Sequence, residues 1–442
     1  MTDDQGGHGG GELDLDQLWP QRGADPSSRP VLRDRCPLEG GAFLAVFDAG
    51  DEVLVAPLAA GHDSIRRALP GEGAYEGMLS LIRDGGGIGD FVARRGGDVP
   101  TVVGERRIDV DQSNDSVVVG ERVVVKLYPR SAPGPQPGLD LPAHLAEVGF
   151  ADTPAALGAL RWEPPDREPV LLATASAYLP SARDGWAWYL ELVLAALDAP
   201  DDTARAAAAL APASSLGRLV ARFHVALATP SSVLGRQPVR RADAHRMRSW
   251  RREADAKLDR ALGLTGGAEG ARLAALAGAI RGAFDAFDRV DATPIMRVHG
   301  DLHVGQVLRW DGGDMIADMD GNPLAPSGSR VARHSPALDV ASFVRSLDHL
   351  GRVAQRRRAE REGAVEVWIG RSRHAFLHAY RTELGRAGHA GLFDERLLHP
   401  FEVAQECHEY VYAATYLPRW LPVPDLALPH LVGAGPRAGP SR

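Results

Sequence analysis

The stretch Met296 to Pro323, MRVHGDLHVGQVLRWDGGDMIADMDGNP, decides how the rest of the chain is read. Short apolar runs at Met296 to Val298, Val307 to Trp310 and Met315 to Ala317 are broken by polar and Gly-rich segments. That alternation predicts strand, loop, strand and then a second acidic turn. In the first loop His299-Gly300-Asp301 is followed by four residues and then Gln306; in the second, Asp318 and Asp320 precede Gly321. Phosphoryl transfer to an alcohol needs one carboxylate to orient the hydroxyl and take its proton. It also needs a carboxylate and an amide oxygen, displaced from the first, to hold Mg²⁺ against nucleotide phosphates. Asp301 is placed for the first task, and Gln306 and Asp318, with Asp320 beside them, for the second. Either acidic turn alone would read as a hairpin closure whose carboxylate accepts backbone N–H bonds. Order and spacing together favour the chemistry.

Upstream, Asp111 to Arg130, DQSNDSVVVGERVVVKLYPR, reads as a β-hairpin: Val117 to Val119, a Gly120-Glu121 turn, then Val123 to Tyr128. Lys126 lies in the second apolar strand, where an ammonium is costly unless an anion meets it; the alternative is an edge-strand lysine reaching back to water. In a kinase such a lysine holds the α- and β-phosphates. The turn before the hairpin offers Ser113, Asn114 and Ser116 as groups that could cover phosphates, although it is not Gly-rich. Pro129 to Pro142 holds five prolines and leads into an amphipathic stretch, Leu141 to Val148. Asp140 and Glu147 are both placed to pair with Lys126, Asp140 being preferred; each could equally be a helix-end or surface charge. Val170 to Leu179 reads as a buried strand leaving the smaller lobe; in a two-lobed kinase such a strand is the hinge, with Ser176 to Leu179, including Tyr178, as the segment for adenine contacts, and a plain core strand is the alternative.

Downstream the chain turns helical. Trp186 to Leu197 and Thr203 to Thr229 are predicted helices, the latter with Leu216, Leu219, Phe223 and Leu227 on one stripe and His224 as a satisfied core residue. Arg240 to Arg260, charged on most faces, reads as a solvated helix or linker, and Leu273 to Val290 as another helix. In Ser335 to Leu350, Asp339 sits at a helix start, where a carboxylate suits the helix dipole. Further helices are predicted over Val365 to Glu383 and Pro400 to Leu417. The last carries Gln405, Glu406, His408, Glu409 and Tyr412, and Trp420 follows. Carboxylates, amides and an indole face are what a saccharide pocket uses, while a helix with one wet face is the plainer alternative.

Composition limits the remaining classes. The chain has 442 residues, 44% hydrophobic and 24% charged, and suits a globular protein large enough for two or three lobes. A formal net charge of −8 gives no global basic field to recruit nucleic acid or anionic lipid. Cys36 and Cys407 make neither a disulfide framework nor zinc-ligand spacing. The first residues lack the basic and apolar regions of a secretory signal, and no apolar run approaches the roughly 18 residues of a spanning helix, so a cytoplasmic protein is expected. Residues 1–30 are expected to be flexible, and 31–103 to form a small α+β module.

QSNDSVVVGERVVVKLYPR, AYLPSARDGW, MRVHGDLHVGQVLRW, IADMDGNP, LDVASFVRSLD and ECHEYVYAATYLPRWLPVP together resemble the aminoglycoside-phosphotransferase-like kinases. More closely they are similar to the actinobacterial maltokinase group and its relatives with glucosamine kinase activity. The resemblance implies an α+β, two-lobed protein-kinase-like fold with a small β-rich N-lobe (104–180), a large, mostly helical C-lobe (181–442) and an N-terminal cap (31–103). It implies ATP and Mg²⁺ as cofactors, Asp301 as catalytic base, Gln306 and Asp318 as Mg²⁺ ligands and Lys126 as the phosphate-binding lysine. Maltokinases tend to carry Glu where Asp140 stands and Asp-Phe-Glu-Gly-Glu-Pro where this chain has Asp318-Met-Asp-Gly-Asn-Pro323. A protonated amino sugar favours carboxylates that neutral hydroxyls do not satisfy, and Glu409, with Glu406, is placed for that ammonium. The expected substrate is therefore glucosamine, met by Asp301, His303, Gln405, Glu406, Glu409 and Trp420. Maltose is second, an aminoglycoside third, and a pseudokinase is the non-enzymatic alternative. A small-molecule sugar and ATP are the expected partners, without nucleic acid or membrane, and a monomer is the expected state.

Overall fold

The computed structural model describes residues 30–60, 65–108, 115–311, 313–322 and 330–433. The fold is α+β, and the chain divides into two compact units, Met1–Ala146 with Pro154–Pro180 and Glu147–Thr153 with Ser181–Arg442.

The first unit is built on two sheets. In one, β1 (Val31–Pro37), β2 (Phe43–Ala49), β3 (Glu52–Ala60) and the short β10 (Arg130–Ser131) lie side by side, with β4 (Ile65–Arg67) also on β3. The other is seven-stranded, in the order β5 (Gly86–Ile88), β6 (Phe91–Arg95), β11 (Ala156–Trp162), β12 (Val170–Ala177), β9 (Val123–Leu127), β8 (Asp115–Val119) and β7 (Glu105–Arg107). Runs of β-branched valine favour extended backbone and fill the sheet faces. The β8–β9 turn places Gly120 at φ 57 and Glu121 at φ 54. Both values belong to a primed turn, whose twist matches that of the strands it joins. Helix α1 (Ala74–Asp84) covers the sheets with Tyr75, Met78, Leu79 and Ile82, and α2 (Pro137–Glu147) follows β10.

The pieces expected at 31–103 and 104–180 are joined here. Strand β6 pairs with β11 across Phe91 and Trp162, and one buried cluster runs from Cys36, Leu44 and Met78 to Val117, Val125, Leu160 and Leu172. Each piece presents an apolar sheet face that closes only against the other.

The second unit is mainly helical: α3 (Gly185–Asp198), α4 (Thr203–Leu227), α5 (Ala244–Leu264), α6 (Gly267–Asp288), α7 (Ala337–Arg357), α8 (Glu362–Arg386), α9 (Leu398–Tyr416) and α10 (Pro422–Leu431). Strands β13 (Arg183–Asp184), β16 (Val307–Trp310) and β17 (Gly313–Ile316) form a small sheet, and β14 (Arg240–Ala242) pairs with β15 (Thr293–Ile295). Gly217 lets α4 meet α8 closely, because a Cβ there would lie 2.3 Å from the Phe376 carbonyl oxygen. The segment expected to be a solvated helix or linker is instead a packed helix, α5, which buries Met247, Trp250, Ala254, Leu258 and Ala261. Its charged residues mask an apolar stripe at three- and four-residue spacing. His224 is the satisfied core residue expected of it: Nδ1 lies 2.7 Å from the Tyr380 hydroxyl and Nε2 3.2 Å from Asp339. Helix α7 is the centre of the unit, burying residues from Ala337 to Gln355, among them Asp339, Arg345, Asp348, His349 and Arg352. No helix among the described residues is long and apolar enough to cross a membrane.

Candidate active site

The strand expected over Met296 to Val298 ends earlier, at Ile295. Met296 instead exchanges backbone hydrogen bonds with His334, at 2.9 and 2.7 Å, and the chain then opens into the loop that carries Asp301. Asp339, in the first turn of α7, holds this loop. It is fully buried, and its carboxylate accepts the His299 N–H at 2.8 Å and the Gly300 N–H at 2.9 Å. Two turns further along the same helix, Ser346 Oγ accepts the Val304 N–H at 3.0 Å. Gly185 brings the start of α3 against the same loop, where a Cβ would lie 2.1 Å from the Val304 carbonyl.

The second acidic turn lies against the first. His299 Nε2 is 3.0 Å from the Ala317 carbonyl, so the ring donates to the residue preceding Asp318. The Ala317 N–H donates to the Gln306 carbonyl at 2.9 Å. Gly300 has φ +83, and a Cβ added to it would stand 3.7 Å from Gly321 Cα. Asp318 adopts φ 59, a left-handed conformation that costs a non-glycine residue some strain and that clusters at functional sites. Asp301, Gln306, Asp318 and Asp320 are thus carried on two neighbouring loops.

Asp301 is half-buried, and its carboxylate makes no hydrogen bond among the described residues. Burial, with the neighbouring charges of Asp318, Glu409 and Asp339, pushes it up to about 7 against the opposing pull of His299. His303 Nδ1 accepts the Gly305 N–H at 3.0 Å, which leaves Nε2 as the protonated nitrogen of the neutral ring. Burial lowers its pKa and favours that neutral form.

On α9, Glu409 takes two neutral donors. Gln405 Nε2 donates to Oε1 and Trp420 Nε1 to Oε2, each at 3.0 Å. Burial opposes its charge, but His349, His408 and these two hydrogen bonds hold Glu409 below the usual carboxylate range. Trp420 packs edge-on against Trp186, with ring centroids 5.5 Å apart, and against His349, at 5.8 Å. Asn322 Nδ2 lies 3.2 Å from His408 Nε2, linking the Asp318 turn to the same helix.

Glu406 departs from its expected place at the sugar. It is fully buried, with Oε1 2.8 Å from His349 Nε2 and 3.4 Å from Arg345 Nη1. His349 and Arg345 of α7 draw that carboxylate inward, while Glu409, three residues on, is left beside Trp420. Ser116 is also displaced from its expected place: it is a buried residue of β8, opposite Lys126 in the hairpin register, because the strand begins at Asp115. Ser113 and Asn114 lie outside the described residues.

In the first unit Lys126 is half-buried on β9, its Nζ 5.7 Å from the Tyr128 ring centroid. Asp140 stands in the first turn of α2. Glu147 belongs to the second unit, where it accepts from Ser232 N at 2.7 Å and Ser232 Oγ at 2.6 Å. Ser176 is inside β12 and Leu179 is buried. The Tyr178 N–H donates to the Arg122 carbonyl at 2.8 Å, and its hydroxyl accepts from Arg106 at 2.7 Å.

Sequence reading missed the loop-holding role of Asp339 and Ser346 and the places of His349 and Trp186. The two loop-holding residues share a helical face, which is a usable signal, but what they touch is not written in that spacing.

No protein-family model matches the chain. It is 41% identical over 408 residues to a glucosamine kinase of Streptacidiphilus jiangxiensis, covering 89% of each protein. It is 35% identical over 406 residues to a glucosamine kinase of Mycolicibacterium smegmatis, covering 91% of this chain and 98% of that protein. A solved glucosamine kinase in complex with glucosamine, ADP and inorganic phosphate superposes with a TM-score of 0.76 at 38% identity, over 92% of this chain and 95% of that one.

Proposed function

The chain belongs to the glucosamine kinase family, and from that membership we propose that it transfers the γ-phosphoryl group of ATP to a hydroxyl of glucosamine. The observation that carries the catalytic assignment is the unbonded carboxylate of Asp301, raised to about 7 and adjoining a loop whose own aspartate is strained. A carboxylate whose oxygens accept nothing from the described residues is available to the substrate. Asp301 orients the sugar hydroxyl and takes its proton as the oxygen bonds to the γ-phosphorus. The bond from that phosphorus to the bridging oxygen breaks, and ADP leaves.

Glu409 takes the ammonium of the sugar, Gln405 a hydroxyl, and Trp420 packs on the ring. His303 offers its Nε2–H as a donor to a further hydroxyl. In the first unit Lys126 meets the α- and β-phosphates, with Asp140 as its counter-charge, and the segment Ser176 to Leu179 lies along adenine.

Mg²⁺ suits the donors on the two loops, since Asp318, Asp320 and the Gln306 amide supply hard oxygens. That composition fits an ion held by one or two carboxylates together with nucleotide phosphates. Bound there, Mg²⁺ would offset the charge of the phosphate oxygens.

Asp301→Asn tests the assignment. Turnover should fall by about three orders of magnitude, while ADP binding by calorimetry stays within about threefold of the parent. Turnover close to that of the parent would overturn the role of Asp301.

A further inference from the structure

Glu406 and Glu409 stand three residues apart on α9, and the fold uses them differently. Glu409 is half-buried and bonded to Gln405 and Trp420. Glu406 is wholly buried against His349. The His349 ring meets Trp420 edge-on at 87°, so that Glu406, His349, Trp420 and Glu409 form a continuous chain of contacts. His349 thus lies among two carboxylates of α9 and bonds only one of them.

We propose that Glu406 is a specificity-determining positioning residue: as the buried counter-ion of His349, it seats that ring against Trp420 and keeps its charge from being neutralised by Glu409, which stays available for the ammonium of the amino sugar. This rests on the reading above that Gln405, Glu409 and Trp420 take the sugar.

The charged and titratable groups within reach of His349 are Glu406 and Glu409 on α9, Arg345 and Asp348 on α7 and His303 on the loop of Asp301. Burial works against a charge on His349, but Glu406, by charge and by hydrogen bond, outweighs it and raises the ring above its ordinary value. The imidazolium therefore has to be balanced somewhere. Glu406 balances it within the core, further anchored by Arg345, which also pairs with Asp348; Arg352 bonds the same aspartate at 2.9 Å. Without Glu406 the carboxylates left within reach are Asp348, already held by Arg345 and Arg352, and Glu409. Whatever positive charge the ring then keeps competes with the substrate ammonium for Glu409, whereas a neutral sugar would notice little.

The experiment compares kcat/KM for glucosamine with kcat/KM for glucose in the full-length protein and its variants. Glu409→Gln should lower the glucosamine preference at least about tenfold; if it does not, the sugar-side reading fails, whatever the other variants do. Given that result, Glu406→Gln should also lower the preference by about tenfold, chiefly through the KM for glucosamine. The double variant Glu406→Gln/His349→Gln should restore it to within about threefold of the parent, because no imidazolium is left to compete. A general structural defect would instead make the double variant worse than the single one. The proposal is overturned if Glu406→Gln keeps the parent preference within about threefold, or if the double variant falls below the single one. Should Glu406→Gln not fold, His349→Gln decides: a preference within about threefold of the parent supports the proposal, and a tenfold fall overturns it, since the charge of the ring would then be helping the sugar rather than competing for Glu409.

Discussion

On the two sides of His299 and Gly300 the C-terminal unit sets two aspartates, one on the catalytic loop and one at the start of α7. Asp339 spends its oxygens on two peptide N–H groups of that loop and faces His224. Asp301, one residue beyond Gly300, spends none on the described chain. Although burial alone would raise both, hydrogen bonds and the charges of His224 and His299 bring Asp339 below the usual carboxylate value, while Asp301 is pushed up to about 7. The same side chain becomes a structural strut where N–H donors surround it, and holds its proton to higher pH where they are withheld.

The sharpest separation of the two is kinetic. Asp301→Asn should remove about three orders of magnitude of turnover with little change in thermal stability near pH 4. Asp339→Ala should instead cost stability. It strands two buried N–H groups, worth together about 2–5 kcal/mol, and turnover falls as well because the loop loses its support. Denaturant titration of the two variants beside the parent checks both. If Asp339→Ala unfolds at the parent midpoint, the assignment of Asp339 as the strut is wrong. Ser346→Ala removes a single acceptor from the same loop, that of the Val304 N–H, and should cost about 1 kcal/mol.

The smallest effect concerns pH. For metal-free protein, the raised value of Asp301 means that the folded state holds a proton that the unfolded chain releases near pH 4, so its contribution is lost as pH rises toward about 7. Asp301→Asn should therefore raise Tm relative to the parent, by an amount that grows from about pH 4 to about pH 7 and then levels off. Asp339 runs the other way. Its depressed value contributes stability that is present above the unfolded value of about 3.9 and is lost as pH falls through the folded one. Melting curves across that range should show the parent losing stability to acid more steeply than Asp339→Asn.

Much of the site was legible along the chain. The order of Asp301, Gln306 and Asp318, the valine-rich hairpin bearing Lys126, and the helix ending near Trp420 all follow from local spacing, which is a property of neighbouring residues. Asp339 was legible only as a helix-start carboxylate. Its partners lie 39 and 40 positions away, and helix periodicity carries no information about such a contact. Glu406 and Glu409 were equally ambiguous, because both fall within a polar run of α9. The buried Arg345 and His349 of α7 separated them. Ser116 was taken for part of a turn because the strand start could not be resolved from a run of small polar residues.

By itself the amino-acid sequence determined which chemical groups the protein owns, in what order they come, and which segments are helix or strand, since propensity and periodicity act over a few residues. Tertiary structure alone decided which carboxylates are used up as struts and counter-ions and which accept no hydrogen bond from the described residues. A side chain's protonation and availability are set by the donors and charges packed around it, and those arrive from distant parts of the chain.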